Sequence, residues 1–445
     1  MGFKAQIRSA LDQAGLSAPD YLETGEGSWP SRFAVSDLAV ASIGAACAEV
    51  AALSGRTDPF TINRRLASLW FSLTIQPQGW ELPPVWDDLA GIYEASDGFV
   101  RLHTNAPHHK VAALKALDCS ADRASIEALI AGMSEKQVEQ AVIAEQGCAA
   151  QLMSLEDWGD HPQGQAVAAE PLIAWSEQGV VKSTLEIGSE DYPLSGLKVL
   201  DLTRVLAGPV CTRTLAGFGA TVLRIDPPGW GEALVETEVT PGKRLATLDL
   251  KTDSGREVFL SLLKDADVLV HGYRQDALHQ LGLGDAVRRE TNPSLIDVAL
   301  NAYGWIGPWS GRRGFDSLVQ MSSGIAHAGM IWKGAEAPVP LPVQALDFAT
   351  GYIMAAAVLR AARIRQREGR LLSARLSLAR TSTLLASMPA DNDGADFDPV
   401  IDADLDAATE QTDWGPVKRI RFPADIPMTW SYPARRLHSD PALWT

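Results

Sequence analysis

Two hydrophobic rhythms divide the chain near residue 190. In the first part, Val35–Leu53 is apolar nearly all round and rich in small residues, which predicts a tightly packed internal helix. The stretch Gly91–Leu102 sets Asp97-Gly98 between two strand-like runs, the signature of a β-hairpin. Helical patterns follow at 108–117, 121–132 and 135–145, and Asp157–Ala169, with Pro162 and two glycines, begins a connection. From Leu194 short apolar runs alternate with helical ones. Strands are expected at 197–202, 220–226, 245–250, 267–271 and 294–300, with helices at Gly208–Phe218 and Ser254–Lys264 between them. Near-continuous apolar strands separated by helices predict a parallel sheet covered on both faces. Such a sheet binds ligands beyond the carboxyl ends of its strands, here Thr203–Pro209, Pro227–Gly231 and His271–Asp276.

A partial repeat lies over this layout. At an offset of 310 residues, the run from Asp37 matches the run from Asp347, with Ala39/Ala349, Ile43/Ile353, Ala45/Ala355, Ala46/Ala356, Arg65/Arg375 and Leu66/Leu376 identical. Alanine-rich helices resemble one another by chance, so the paired Asp and the paired Arg-Leu carry the weight. Residues 391–413 hold nine Asp or Glu and no cation, the composition of a solvated linker. No calcium loop is read there, because none of its D-x-D runs has the glycine expected at the sixth position.

The chain has 445 residues, enough for two or three domains, with 46% hydrophobic and 21% charged. Its formal net charge of −16 argues against a nucleic-acid partner, which needs a basic face. A small phosphate ester remains compatible, since a few backbone N–H groups and local cations suffice for one. Four scattered cysteines (Cys47, Cys119, Cys148, Cys211), without metal spacing, predict a reducing, cytoplasmic compartment and no metal site. The start lacks an apolar signal core, and the stretch Leu38–Leu53, broken by Ser42 and Glu49, is expected to be too short to cross a bilayer.

Several residues have two readings. The loop 203–209 either cradles an anion at a helix N-terminus or only closes a tight turn. Asp226 ends a strand where a ribose-binding acid would sit, but no G-x-G-x-x-G lies in the first strand–helix turn. Asp347, placed just before a helix Phe348–Ala362, is either an N-cap or a carboxylate kept ionised by the helix dipole and available as a nucleophile. Asp37 reads as a cap. Lys243 and Arg244 are either ligand cations or solvated ones, and Arg312, Arg313 and Asp316 either touch substrate or build a turn. His271, His279 and His327 show no ligand spacing.

In order, "LSGLKVLDLTRVLAGPVCTRTLAGFGATVLRIDPPGWGE", "KRLATLDLKTDSGREVFLSLLKDADVLVHGYRQDAL", "NPSLIDVALNAYGWIGPWSGRRGFDSLVQMSSGIA" and "LPVQALDFATGYIMAAAVLRA" resemble the family III CoA-transferases over about 194–385. More loosely, 86–109 through 148–167 resembles the family's small domain, and 414–445 the segment that follows it. The resemblance implies an α/β protein, with a Rossmann-like parallel-sheet large domain and a smaller α+β domain moved to the front. The implied parts are an N-terminal helical part of a partial repeat (1–80), the small domain (81–190), the large domain (191–390), the acidic linker (391–413) and a C-terminal segment (414–445).

By resemblance, Asp347 is the catalytic aspartate of CoA transfer between an acyl-CoA and a carboxylic acid, through an aspartyl-CoA thioester. Arg204, Val205, Leu206, Ala207, Lys243, Arg244, Leu248 and Arg274 fall where the family holds CoA, although its "RPG" loop reads Arg274-Gln275-Asp276 here. CoA thioester is substrate, and no further cofactor is implied. Acyl-CoA and carboxylates are the implied partners, with neither nucleic acid nor membrane, and the family's interlocked dimer predicts a homodimer. Two alternatives stay open: a non-catalytic paralogue that binds CoA esters or partners an active subunit, and an acyl-CoA racemase or isomerase. The racemases' "GHD" histidine is Phe315 here, and phenylalanine carries no proton.

Overall fold

The apolar runs after residue 194 become a parallel sheet because each strand is buried on both faces. In this computed structural model, which describes residues 1–182, 185–188, 192–233, 235–274, 276–388 and 397–444, the protein is mixed α/β. Its largest sheet has seven strands, in the order Lys243–Thr247, Thr221–Asp226, Lys198–Leu202, Val268–His271, Ile296–Asn301, Arg370–Ser377 and Ala174–Val180. Six run parallel, and only Ala174–Val180 is antiparallel, on the Arg370–Ser377 edge. The strand order reverses beside Lys198–Leu202, where a crevice opens beyond the strand ends.

The expected elements 35–53, 91–102, 135–145 and 254–264 form within a residue or two, while the strand expected at 245–250 is shifted to Lys243–Thr247. The strands Gly91–Glu94, Phe99–Leu102 and Ala149–Gln151 make a small antiparallel sheet. Three helices (Pro107–Leu117, Arg123–Ile130, Glu135–Ala144) cover it, and a separate core including Tyr93, Val100, Ile126 and Val138 fills the space between. This unit grips the loop above the large sheet. Arg312 donates to Glu139 Oε1 (2.6 Å) and the Ala149 carbonyl (2.9 Å), and Arg313 donates to the Gln146 carbonyl (2.8 Å).

The acidic segment is not a linker throughout. Residues 391–396 lie outside the described residues, but Leu405–Thr412 is a strand paired with Gly415–Ile420, which in turn pairs with Ile75–Pro77. Two of its acids are held by arginines: Asp404 takes a bidentate contact from Arg65, and Glu410 Oε2 accepts from Arg419 Nε (2.8 Å). Asp406 and Glu410 stand on a largely exposed edge strand, so the segment has a linker's composition.

The helix Ala345–Glu368 runs through the centre of the molecule, and Val35–Leu53 packs along it. Both are long and apolar enough to cross a membrane, contrary to the sequence expectation for the first, yet almost every residue of each is buried within the protein. Between them Glu49, 0% exposed, holds two arginines: Arg360 through Nε (3.0 Å) and Nη2 (2.7 Å), and Arg363 through Nη1.

The partial repeat is real in shape, but its register differs from the sequence match. Asp37 and Asp347 each stand third in their helix. Each helix is followed by a strand lying parallel to an earlier one, Phe60–Asn63 on Tyr21–Thr24 and Arg370–Ser377 on Ile296–Asn301. A side-chain-capped helix comes next in both copies. Asn63 accepts from Leu66 N–H, and Ser377 accepts from Arg380 N–H. Those caps are 314 residues apart. Arg65 therefore sits in a helix and Arg375 in a strand, so the Arg65/Arg375 and Leu66/Leu376 identities are coincidental.

Removing one partner of a buried ion cluster leaves uncompensated charge, at a cost of about 3–5 kcal/mol. Glu49→Ala should lower the stability measured by urea unfolding by that amount. It should cost far more than Asp37→Ala, which removes only a half-exposed pair with Arg64.

Candidate functional site

The first strand of the large sheet ends in a turn locked from beneath. Asp201 accepts from Thr203 N–H (2.8 Å), from Thr212 Oγ1 (2.6 Å) and from Lys243 Nζ (3.0 Å). Lys243 also donates to the Pro209 carbonyl and to Thr212, is 0% exposed, and is pushed down to about 8 by burial. It is therefore a structural ammonium under the loop and not a ligand cation. The loop above is tight: a Cβ on Gly208 would meet Thr203 at 2.4 Å. Val205 is left-handed (φ 67°), an uncommon conformation for a β-branched residue. Its N–H donates to Glu232 Oε1 (2.6 Å), and Arg224 holds the other Glu232 oxygen (2.7 Å), which compensates the strain.

Gly351 lets this loop and the central helix meet, since a Cβ there would lie 2.4 Å from the Ala207 carbonyl. One turn earlier stands Asp347, 8% exposed. It is not the N-cap. The helix begins at Ala345 after Gln344, which gives no side-chain cap, so Asp347 is inside the first turn. Asp316 does the capping from another element. Its Oδ2 accepts the Asp347 N–H (2.9 Å), and it also accepts from the Leu346 N–H, while Gln320 holds Oδ1. A carboxylate that satisfies free N–H groups at a helix start fixes that first turn.

The Asp347 carboxyl is thereby placed beside a second buried carboxyl. Burial first, and the Asp316 charge second, raise Asp347 well above the ordinary aspartate range. Burial raises Asp316 to about 6, against the opposing hydrogen bonds from Gln320 and the helix N–H groups. The sequence expectation of a dipole-stabilised anion is thus reversed in direction. Desolvation outweighs the dipole here.

Asp347 opens on a cavity of about 1070 Å³ between the strand ends and the small-sheet unit. Arg204, Val205, Leu206, Ala207 and Arg274 line it as expected. Arg204 lies between the rings of Trp230 (4.7 Å) and Tyr273 (5.2 Å) and donates to Tyr273 Oη (2.9 Å). Arg274 and Arg313 both line the cavity, and after burial it is Arg274 that lowers the Arg313 pKa, the mark of two cations facing one another. Gln275 lies outside the described residues.

Lys243, Arg244 and Leu248 do not reach the cavity. Arg244 donates to the Leu443 carbonyl (3.2 Å), and Leu248 packs against the other face of the sheet with Leu250 and Phe259. Asp226 is held by Arg224 (2.8 Å) and is closed to a ribose. His271 pairs with Asp297 (3.2 Å), and neither His279 nor His327 lines the cavity.

Sequence reasoning missed the contribution from the small-sheet unit: Trp86, His103, His108 and His109, together with Trp230. His103 stacks on Phe315 with centroids 3.8 Å apart and planes at 10°, and His109 meets the same ring edge-on at 5.6 Å. Three histidines within seven residues, two of them opening a helix after Pro107, were the available signal.

The raised Asp347 carboxyl makes a stability prediction. The native state keeps its proton to higher pH than the unfolded chain, so its stabilising contribution is present below about pH 4 and is lost as pH rises through the native value. Asp347→Asn should melt with the parent protein near pH 4. At pH 8 it should melt higher by about 2 °C in calorimetry.

Residues 194–399 match the model of CoA-transferase family III. Among similar proteins, an acyl-CoA transferase of Fusarium pseudograminearum is 34% identical over 202 residues, covering 41% of this chain and 44% of that protein. A formyl-CoA:oxalate CoA-transferase of Escherichia coli is 33% identical over 192 residues, covering 40% and 45%. Rv3272 from Mycobacterium tuberculosis, a solved structure, shows 33% identity over 44% of this chain and 58% of that one, with a TM-score of 0.40. The chain spans less than half the length of these two curated relatives. The segment 194–399, which carries the parallel strands from Lys198 to Ser377, the Asp316–Asp347 pair and most of the cavity wall, is similar to CoA-transferase family III.

Proposed function

We propose that the protein transfers CoA between an acyl-CoA and a carboxylic acid, with Asp347 as the nucleophile and the large sheet as a Rossmann-like CoA platform. The observation that carries this reading is a buried, raised-pKa aspartate in the wall of a large cavity, within a segment matching that family. Numbered along the chain, the six parallel strands run 3-2-1-4-5-6, the order whose reversal point makes a dinucleotide-sized crevice. We assign 81–190 as the small domain that closes the site from the same chain, and we place the protein in the cytoplasm. CoA thioester enters as substrate, with no resident cofactor in the scheme.

In this reaction the ionised Asp347 attacks the thioester carbonyl carbon. The C–S bond breaks, leaving an aspartyl–acyl anhydride and CoA thiolate. The thiolate then attacks the aspartyl carbonyl and releases the first acid as its carboxylate, which leaves aspartyl-CoA thioester. An incoming carboxylate attacks that thioester and expels the thiolate, which takes the new acyl group and frees Asp347. No water or net proton is consumed. Desolvation suits the nucleophile, because a carboxylate without a hydration shell is more reactive, and a dry cavity protects the anhydride. Asp316 acts as a positioning residue that fixes the helix turn carrying the nucleophile.

The isomerase alternative loses the base nearest to Asp347 in sequence, since His327 lies off the cavity, and Phe315 occupies the "GHD" histidine position. Incubation with acetyl-CoA followed by hydroxylamine should leave a hydroxamate on Asp347 in peptide mapping, absent from Asp347→Ala. CoA binding without an adduct would instead favour the non-catalytic paralogue. Asp316→Asn removes a neighbouring negative charge, so Asp347 should ionise at lower pH. The acid limb of adduct formation, read by intact mass, should then move to lower pH.

The two facing cations make a further expectation. With no carboxylate bonded to either among the described residues, Arg274 and Arg313 suit the CoA phosphates. Arg274→Ala or Arg313→Ala should weaken CoA binding in calorimetry by roughly tenfold, about 1.4 kcal/mol, and flatten its salt dependence.

A further inference from the structure

Resting on the CoA-transfer reading above, the wall of the cavity opposite the CoA platform carries information about the acid. Phe315 immediately precedes Asp316, whose carboxylate holds the Asp347 backbone, so its ring stands at the Asp347 end. His103 lies flat on that ring, and His109 lies across its edge. Both imidazoles belong to the small-sheet unit, both line the cavity, and they are 6% and 5% exposed. Each has a buried Nδ1 without a hydrogen-bond partner among the described residues, a group that a water or a polar atom of a ligand in the cavity can satisfy.

Burial holds both imidazoles down to about 3, so they are uncharged at neutral pH. The imidazoles therefore add no cation; the buried cation at this end, Arg101, lies over the Trp86 ring, is engaged with Asp316 and is not part of the cavity wall. Arg313, which faces His108 and His109, is tethered to Gln146 on its other side and faces Arg274. A second carboxylate on the substrate would be buried against Asp316 and Asp347 without counter-charge from the box, a placement that costs several kcal/mol. A flat group, by contrast, extends the stack of rings.

We propose that His103, Phe315 and His109 form the acyl subsite, and that it takes a carboxylic acid with a flat, uncharged tail bearing a hydrogen-bonding group. A hydroxy-aromatic or hydroxy-enoyl acid fits this description, and a short dicarboxylate does not.

The test compares acceptors with acetyl-CoA as donor: succinate, cinnamate and the three hydroxycinnamate isomers. At least one hydroxycinnamate should exceed succinate in kcat/KM by about 10-fold or more, and should exceed cinnamate by several-fold. His103→Leu and His109→Leu should bring the hydroxycinnamate-to-cinnamate ratio towards one, with His109→Asn restoring part of it. The ratio is insensitive to a general loss of folded enzyme. Succinate as the preferred acceptor, or an unchanged ratio in both leucine variants, would overturn the subsite.

Binding separates the two readings. Tryptophan-fluorescence titration of the CoA-loaded protein with hydroxycinnamate should show binding that either leucine variant weakens. That result without transfer to any acid would refute CoA transfer and keep the subsite. Transfer to succinate alone would do the reverse.

Discussion

The geometry of the site depends on a carboxylate at the head of a buried helix. Asp316 accepts N–H groups from Leu346 and Asp347, so the first turn of Ala345–Glu368 is held by a residue 31 positions earlier and not by its own flanking side chain. The arrangement puts two carboxyl groups close together in a dry place. At Asp37, the corresponding third position of Val35–Leu53, the helix start has no side-chain cap, and the carboxylate is half exposed and pairs with Arg64. The capping carboxylate and the carboxylate in the cavity wall are thus separate groups. The first fixes the backbone, and the second is left unpaired.

The same helix is held along its length by the partial copy at the start of the chain. Val35–Leu53 lies against it, and Glu49 binds Arg360 and Arg363 in a buried cluster. A buried ion cluster contributes little net stability compared with an apolar seam, but it tolerates no slippage, because a shift by one residue would strand charges. That fixes the axial position of the central helix. Asp347 and Gly351 then meet the 203–209 loop in one register only.

The element pattern of the large sheet was legible because period and burial agree there: strands buried on both faces are written as continuous apolar runs. The Arg204–Ala207 loop was legible for the same reason, as the segment past a strand end. Lys243 and Arg244 misled because a cation just before a strand reads as exposed, whereas Asp201 and Thr212 draw Lys243 inside. The acidic strand 405–412 was misread because an edge strand keeps its solvent face, so composition dominated its pattern. The repeat was found by its helix and misaligned after the following strand, since that strand has eight residues in the second copy against four in the first, which shifts the register by four. His103 and His109 were invisible as a pair because nothing in their local spacing records the ring of Phe315, more than 200 residues later.

That last contact shows how two distant parts of the chain build one cavity. The small-sheet unit does not merely abut the large sheet; it holds the loop that carries Phe315 and Asp316. Arg312 and Arg313 bind Glu139, Ala149 and Gln146, Met153 N–H donates to the Met321 carbonyl, and Cys148 and Ala150 share a core with Leu318 and Met321. The loop is thus fixed at both ends of the turn before the helix Asp316–Ser322. Any motion that separates the unit from the sheet must move Asp316, and with it the first turn bearing Asp347. A single segment of about ten residues, 312–321, thus joins the small-sheet unit to the carboxylate that caps the turn bearing Asp347.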